Sequence, residues 1–393
     1  MKRLALLTLL LSLLAAPGWG REAKDLHTWT DRDGNEVTAE VVAMDSLRAI
    51  LRKQDATALV VPLSHLTFTD QEFARNWRKL HPDAPLVDPD FPYGWPAEAS
   101  AADTKVEKHA GPPEEGFHYR SQHYIVRSET DLPNSVVREI LDVFEATRAA
   151  VMASPLGLLE GSREKPYPVF FFGKPSSYAA VGGSPGSGGS YDGYSGRMLV
   201  LLPNLGIDPE SPDTGLDYQD RLYVLKHEAV HQLLPPWAWR MPFWLNEGLC
   251  EVFASMPYSH GRYHFRNFDN ALFEYLQKWR KPSDRNPTIT LIEPKTLLQL
   301  TSGDWKDRVA LRSAYDLYNS AGLLTHYFLH HDGTGQGVGL IGFLAAIREG
   351  APVDAAMETH LLRGRSPEDL KAELERMAER HGTKIEWISG SNE

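Results

Sequence analysis

The sequence predicts an α+β protein in which a small β domain precedes a mainly helical domain with a small β-sheet. Residues 26–80 contain short apolar runs separated by tight turns, which is typical of a small β-barrel or curled sheet. Residues 117–202 combine strand-like apolar runs with one stretch of helical periodicity. After residue 217 most apolar residues recur at helical spacing, so helices dominate the rest of the chain.

Changes in composition divide the chain into five segments. We predict a signal peptide at residues 1–20, a β domain at 21–80, a linker rich in proline, alanine and acidic residues at 81–116, a main domain at 117–365, and a C-terminal helix with its tail at 366–393. Capping signals support two helix starts. Thr69 with Glu72 predicts a short helix in the β domain, and Ser366 predicts the start of the C-terminal helix.

The N terminus has the pattern of a secretory signal peptide. Two basic residues precede an apolar run over 4–16, and Gly18 and Gly20 supply small residues before a cleavage site. The run is too short to span a bilayer, and no later segment is long and apolar enough. We therefore expect an exported protein that is periplasmic, secreted or at the cell surface, without an integral membrane segment after cleavage.

Charge and cysteine content narrow the class of protein. The 393 residues carry a net charge of −11, and no basic stripe is present, which argues against a nucleic-acid partner. Cys250 is the only cysteine, so an exported form of this chain has no intrachain disulfide. Its place between Leu249 and Glu251 predicts a buried thiol.

His227, Glu228 and His231 form a His-Glu-x-x-His motif. Residues four apart on a helix share one face, so the two histidines can present ring nitrogens to a single point. Glu228 is adjacent to the first histidine, where its carboxylate can deprotonate a water molecule bound to a metal. The motif predicts a catalytic zinc site with Glu228 as the general base.

A catalytic zinc ion usually has three protein ligands and one open position, so a third ligand is needed. Glu247 is the candidate, and Glu251 lies one helical turn further on the same face. A carboxylate at Glu251 can accept a hydrogen bond from the far ring nitrogen of a ligand histidine. One helix would therefore supply both carboxylates.

The two histidines and two carboxylates at these spacings resemble the gluzincin peptidases. The resemblance implies a thermolysin-like fold in which His227, His231 and Glu247 bind Zn²⁺, Glu228 is the base and Glu251 orients His227. The run Phe-Trp-Leu-Asn-Glu-Gly-Leu at 243–249 is similar to poorly characterised bacterial members that read Trp-Leu-Asn-Glu-Gly-Leu-Ala-Glu. The match places Asn246 beside the metal ligands and Cys250 where alanine is common, and the gap between the motifs is shorter than in thermolysin-like enzymes.

A tyrosine on a downstream helix supports the oxyanion of the tetrahedral intermediate in the related families. The run from Tyr318 to Tyr327 resembles that helix and puts Tyr318 at the matching place, with Tyr315 as the alternative. Whether Tyr318 or Tyr315 donates to the oxyanion stays open.

The β domain has a resemblance of its own. The runs at 28–34, 60–66 and 70–72 are similar to an SH3-like homology domain first described in a yeast endocytic adaptor. The resemblance implies a small SH3-like β-barrel, with a short peptide as its ligand. The alternative is a purely structural appendage.

The motifs predict an exported zinc-dependent metallopeptidase that hydrolyses a peptide or protein substrate. Glu228 would take a proton from the zinc-bound water and deliver it to the leaving amine. The alternative is a catalytically silent zinc-binding protein of the cell envelope that acts as a scaffold or binds peptides. Zinc binding without peptide cleavage would favour that alternative.

Overall fold

The computed structural model describes residues 26–389 with several gaps. The gaps are 46, 55–57, 83, 85–97, 102, 110, 112–115, 160–164, 185–186, 212–221, 266–267, 278–286, 312–313 and 334–336. The predicted signal peptide lies outside the described residues. The class is mixed α+β, as predicted.

The secondary structure is as follows. The helices are α1 (Phe68–Leu80), α2 (Asn134–Ala153), α3 (Pro175–Ala180), α4 (Leu222–Leu233), α5 (Phe243–Ser255), α6 (Phe268–Gln277), α7 (Pro294–Leu297), α8 (Ser302–Leu311), α9 (Ala314–His330), α10 (Val338–Arg348), α11 (Val353–Met357) and α12 (Pro367–Arg380). The strands are β1 (His27–Thr30), β2 (Glu36–Met44), β3 (Arg48–Lys53), β4 (Ala58–Pro62), β5 (Glu98–Ser100), β6 (Glu107–His109), β7 (Phe117–Arg120), β8 (Tyr124–Ser128), β9 (Tyr167–Phe172), β10 (Gly189–Asp192), β11 (Arg197–Leu201), β12 (Tyr258–Ser259), β13 (Arg262–His264), β14 (Thr288–Ile292) and β15 (Lys384–Ile388).

The chain divides into two compact units. Unit 1 comprises residues 1–96, 152–163 and 328–364, and unit 2 comprises the remainder. Both units are discontinuous in sequence, so their limits differ from the continuous segments predicted above. The histidine motif belongs to unit 2.

Unit 1 contains an antiparallel sheet of strand order β1-β2-β3-β4. Trp29 is fully buried at the centre of its core and donates a hydrogen bond from Nε1 to the Ala39 carbonyl at 3.0 Å. The sheet is open, in contrast to the predicted barrel. A 3-10 turn at Leu63–His65 ends β4. In the described part of the chain, the segment after this turn pairs with the end of β1 only through one bridge, between Asp31 and Leu66.

Unit 2 is built on a six-stranded sheet of order β10-β11-β9-β8-β7-β6. Strand β9 runs parallel to β8 and β11, and the other pairs are antiparallel. Along the central strands β8, β9 and β11, alternate side chains such as Val126, Val169 and Val200 are buried in the core. Helix α4 lies against β10 and β11. The sheet edge at β10 therefore borders the histidine motif.

Part of the predicted linker at 81–116, strands β5 and β6, belongs to unit 2. Strand β5 pairs with β13, and β6 pairs with β7 at the edge of the six-stranded sheet. The extended backbone of this segment is used for sheet pairing at these two places, although its composition has no strand periodicity. No helix among the described residues is long and apolar enough to cross a membrane.

The two predicted helix caps have different outcomes. Ser366 caps α12 in a full capping box with Asp369, as predicted. Helix α1 begins earlier than predicted, because Thr67 is its cap and its side chain accepts from the Asp70 amide. Asp70 in turn accepts hydrogen bonds from Thr67 Oγ1 and the Thr30 amide, both at 2.8 Å. The carboxylate therefore ties α1 to β1.

Asp70→Ala should loosen β1 and α1, because it removes a buried acceptor of several hydrogen bonds, at a cost of about 1–3 kcal/mol. Hydrogen exchange followed by mass spectrometry at pH 7 should show faster exchange of the Thr30 amide. Asp33→Ala, which removes an exposed acid nearby, is the control and should leave exchange unchanged. Equal protection of the Thr30 amide in wild type and Asp70→Ala would contradict the role of Asp70 in tying α1 to β1.

The same contribution should depend on pH. Burial acts to raise the pKa of Asp70, but hydrogen bonds from His27, Thr30 and Thr67 outweigh it, so the pKa lies below its usual value of 3.8. A carboxylate with a lowered pKa stabilises the fold fully above about pH 4 and less as the pH falls through that lowered pKa. The difference in stability between wild type and Asp70→Ala should therefore shrink in acid.

Candidate metal centre

Two consecutive helices bring the motif residues together. Helix α4 carries His227, Glu228 and His231 and ends before the Pro235-Pro236 pair, since proline cannot continue a helix. Helix α5 begins after Pro242 and carries the carboxylates. The two helices pack directly against each other, so side chains that are far apart in sequence share one buried space.

Three ligand atoms form a nearly equilateral triangle. Nε2 of His227 and Nε2 of His231 are 3.1 Å apart. Oε2 of Glu247 lies 3.4 Å from the first nitrogen and 3.3 Å from the second. The three side chains that the sequence predicts as metal ligands therefore converge on one point.

The triangle has the dimensions of a tetrahedral metal site. Two ligand atoms that are each about 2.0–2.1 Å from a tetrahedral zinc ion are about 3.3 Å apart. Oε2 of Glu247 is also buried without a hydrogen-bond donor among the described residues. A buried carboxylate oxygen without a partner is costly, and a cation in the triangle would satisfy it. His227, His231 and Glu247 can thus hold a metal ion.

Glu251 fixes the orientation of one histidine. Its Oε1 is 2.8 Å from Nδ1 of His227, which is the ring nitrogen on the far side from the triangle. In the neutral ring, an Nδ1–H that donates to this carboxylate leaves Nε2 unprotonated, and this tautomer can bind a metal through Nε2. Glu251 lies where the sequence places it.

The charges around the triangle favour a cation. Burial acts to lower the pKa of His227, but the carboxylates of Glu247, Glu251 and Glu228 outweigh it and raise that pKa well above its usual value. Burial acts to raise the pKa of Glu247, but the two histidines lower it to about 2. Glu247 is therefore ionised at neutral pH.

Glu228 faces the sheet edge. Its Oε2 accepts a hydrogen bond of 2.7 Å from the backbone N–H of Tyr191 in β10. Gly189 gives room for this approach, because a Cβ at that position would make a tight contact of 3.2 Å with Cγ of Glu228. Backbone of the sheet edge thus holds this carboxylate, whose charge also acts on His227.

Tyr318 lies beside the triangle, and Tyr315 lies nearer the surface. The Tyr318 ring packs edge-on against His227, with centroids 5.8 Å apart, and edge-on against Trp305 at 5.5 Å. Tyr315 is 43% exposed. Burial, followed by the charge of Glu247, raises the pKa of Tyr318 well above its usual value, so its hydroxyl keeps its proton at neutral pH. This geometry favours Tyr318 over Tyr315 as a hydrogen-bond donor in the site.

Cys250 is closer to the centre than its sequence context indicates. Its Sγ and one ring nitrogen each of His227 and His231 all lie within 4.8 Å of one another, and the thiol is fully buried. Asn246, expected beside the ligands, is also buried, but its Oδ1 has no hydrogen-bond partner among the described residues. The structure therefore gives Asn246 Oδ1 no contact that would orient a ligand.

Two glycines let α9 approach α5 closely. A Cβ at Gly248 would lie 2.1 Å from Oγ1 of Thr325 and 2.4 Å from the carbonyl oxygen of Ala321. A Cβ at Gly322 would lie 3.0 Å from Cβ of Glu251. The glycine that follows Glu247 is therefore a packing requirement of the site.

Three functional contacts were not identified from the sequence. They are the Tyr191 amide on Glu228, the packing role of Gly248, and a hydrogen bond of 2.6 Å from the Tyr275 hydroxyl to Oε2 of Glu251. The glycine alone had a sequence signal, since glycine in a helix interior is unfavourable without a packing reason. The other two depend on tertiary contacts.

Side-chain bonds also attach α4 to its surroundings. Gln232, fully buried, donates from Nε2 to the carbonyl oxygens of Pro168 at 2.8 Å and Gly196 at 3.3 Å. Lys226 donates from Nζ to the Met256 carbonyl at 2.9 Å, just after the end of α5. A cation at a helix C terminus is stabilising.

No model of a known protein family matches the chain, and neither the search of curated proteins nor that of solved structures gave a match.

Gly248→Ala should weaken metal binding by more than about tenfold, because the added methyl group pushes α5 away from α9 and displaces Glu247. Competition with a chromophoric chelator would measure the dissociation constant for Zn²⁺. Gly303→Ala in α8 is the matched control, since a Cβ there makes only ordinary contacts. A wild-type dissociation constant for Zn²⁺ in Gly248→Ala would show that the close approach of α5 to α9 does not determine the positions of the ligands.

Proposed function

We propose that this chain is a gluzincin-type zinc metallopeptidase that is exported and hydrolyses peptide bonds. The observation that carries the proposal is the triangle formed by His227, His231 and Glu247, with edges of 3.1–3.4 Å, beside the Glu228 carboxylate. Two imidazoles and one carboxylate are a ligand set of known catalytic zinc sites.

The order of elements supports a thermolysin-like domain. A mixed sheet precedes the histidine helix α4, the glutamate helix α5 follows directly, and mostly helices come after it. The helical pair supplies all three ligands, and the edge strand β10 borders them. This order agrees with what the gluzincin resemblance implies.

The residues of the centre have separate tasks in hydrolysis. Zinc, when bound, supplies Lewis acidity that makes a water molecule more acidic and a carbonyl group more electrophilic. Glu228 accepts the proton of the attacking water and then delivers it to the leaving amine. The Tyr191 amide holds one carboxylate oxygen of Glu228, which leaves the other for the proton.

Tyr318 is the proposed donor to the developing oxyanion. Its raised pKa keeps the hydroxyl protonated at neutral pH, and its ring is fixed between His227 and Trp305. A donor that is already in place needs little reorganisation in the transition state.

Glu228→Gln should abolish peptide hydrolysis while the protein retains its metal, because the amide cannot accept the proton but still accepts the Tyr191 hydrogen bond. Cleavage of a fluorogenic peptide library and metal analysis of the purified protein would measure both. Glu274→Gln on the exposed side of α6 is the matched control. A full hydrolytic rate in Glu228→Gln would refute the role of the base.

Tyr318→Phe should lower kcat by about a hundredfold or more with little change in KM, since the hydroxyl acts on the transition state. Tyr315→Phe, one helical turn earlier, is the control and should keep its rate. A loss of rate in Tyr315→Phe together with a normal rate in Tyr318→Phe would assign the oxyanion donor to Tyr315.

The same assay tests the silent-scaffold alternative. Wild-type protein with one bound zinc ion and no cleavage of denatured protein or of the library would favour that alternative. Cleavage that stops on removal of zinc and returns on its addition would support the peptidase.

A further inference from the structure

We infer that Tyr275 is a positioning residue for the metal ligand His227 and acts through Glu251. The inference rests on the metal centre of the proposed function and adds a residue to it. The hydrogen bonds run from Tyr275 Oη to Glu251 Oε2 at 2.6 Å, and from His227 Nδ1 to Glu251 Oε1 at 2.8 Å. Both oxygens of one buried carboxylate are therefore used.

The direction of each hydrogen bond is determined by chemistry. A carboxylate only accepts, so the Tyr275 hydroxyl and the His227 ring must both donate. Burial, followed by the charge of Glu251, raises the pKa of Tyr275 well above its usual value, so its hydroxyl remains a donor at neutral pH. The pair of donors holds the carboxylate plane, which in turn holds the imidazole with its Nε2 toward the triangle.

Tyr275 is held firmly in place. Its ring packs edge-on against Tyr223 in the first turn of α4, with centroids 5.9 Å apart. Helix α6 is anchored elsewhere by Asp269, whose Oδ1 is 2.7 Å from Nε2 of the buried His326 in α9. Phe273 of α6 also stacks on His381 at 4.5 Å. The hydroxyl therefore approaches Glu251 from a fixed helix.

Glu251 has little freedom to find another partner. Gly322 of α9 approaches its Cβ so closely that a methyl group there would be at 3.0 Å, and the side chain is only 6% exposed. Without the Tyr275 hydroxyl, Oε2 would be a buried charged oxygen without its donor, and the carboxylate would rotate to compensate. That rotation would misalign His227.

Tyr275→Phe should raise the dissociation constant for Zn²⁺ about tenfold, as loss of such outer contacts commonly does. It should also shift the visible absorption bands of the Co²⁺-substituted protein, which report ligand geometry. A dissociation constant within twofold of wild type, or an unchanged Co²⁺ spectrum, would overturn the inference. Thermal unfolding of the metal-free variant would verify that it is folded.

Tyr119→Phe is the matched control. It removes the hydroxyl of a fully buried tyrosine in β7, which hydrogen-bonds to the backbone of Leu132 and to the Asp131 carboxylate, none of which belongs to the metal centre. It should lower thermal stability but leave the Zn²⁺ dissociation constant unchanged. An equal loss of affinity in this control would show that affinity only follows stability, and would overturn the inference.

A double-mutant cycle tests the route through Glu251. Glu251→Ala should weaken Zn²⁺ binding, and adding Tyr275→Phe should weaken it no further. Additive losses would overturn the route. These measurements use no substrate, so a coupled cycle in a protein that cleaves no peptide would support the inference and refute the proposed function. Normal peptide cleavage by the wild type, with an unchanged Zn²⁺ dissociation constant in Tyr275→Phe, would support the proposed function and overturn the inference.

Discussion

The contact between α5 and α9 at Gly248 determines where the carboxylates of the centre lie. The two backbones are so close that a single methyl group at Gly248 would overlap the Ala321 carbonyl. Because Glu247 and Glu251 extend from the same helix, this contact sets the position of the proposed ligand Glu247 and of Glu251, which holds His227. Glycine in a helix interior is about 1 kcal/mol less favourable than alanine. At position 248 it permits the close packing of α5 on α9.

The buried charges of unit 2 are arranged around that contact. Glu247 and Glu251 are almost fully buried, and isolated charges in such a place would cost several kcal/mol each. His227 and Tyr275 offset this cost for Glu251, whereas Oε2 of Glu247, one corner of the triangle, has no hydrogen-bond donor among the described residues. The arrangement is therefore complete only with a cation, and metal binding should contribute to stability as well as to chemistry.

The sequence predicts the parts of the centre that depend on spacing within one helix. His227 and His231 share a face by periodicity alone, and Glu247 with Glu251 do the same. What brings the two pairs together is the packing of α4 on α5, which no local pattern contains, although the gluzincin resemblance implies it. The hydroxyl of Tyr275 could not be predicted, because α6 reaches Glu251 only through contacts between distant segments. For the same reason the sequence predicts the strands of unit 1 but not that their sheet stays open.

The attachment of α4 to the sheet has a geometric consequence. Glu228 and Gln232 are one turn apart on one face of the helix, and both bond to backbone of the sheet and its hairpin. Each lies one residue after a histidine, so the bonded face and the ligand face differ by about 100° around the axis. Two attachments at different heights prevent the helix from rolling about its own axis. The direction in which the histidines point is thus fixed from a neighbouring face of the helix, in part by Glu228, the proposed base.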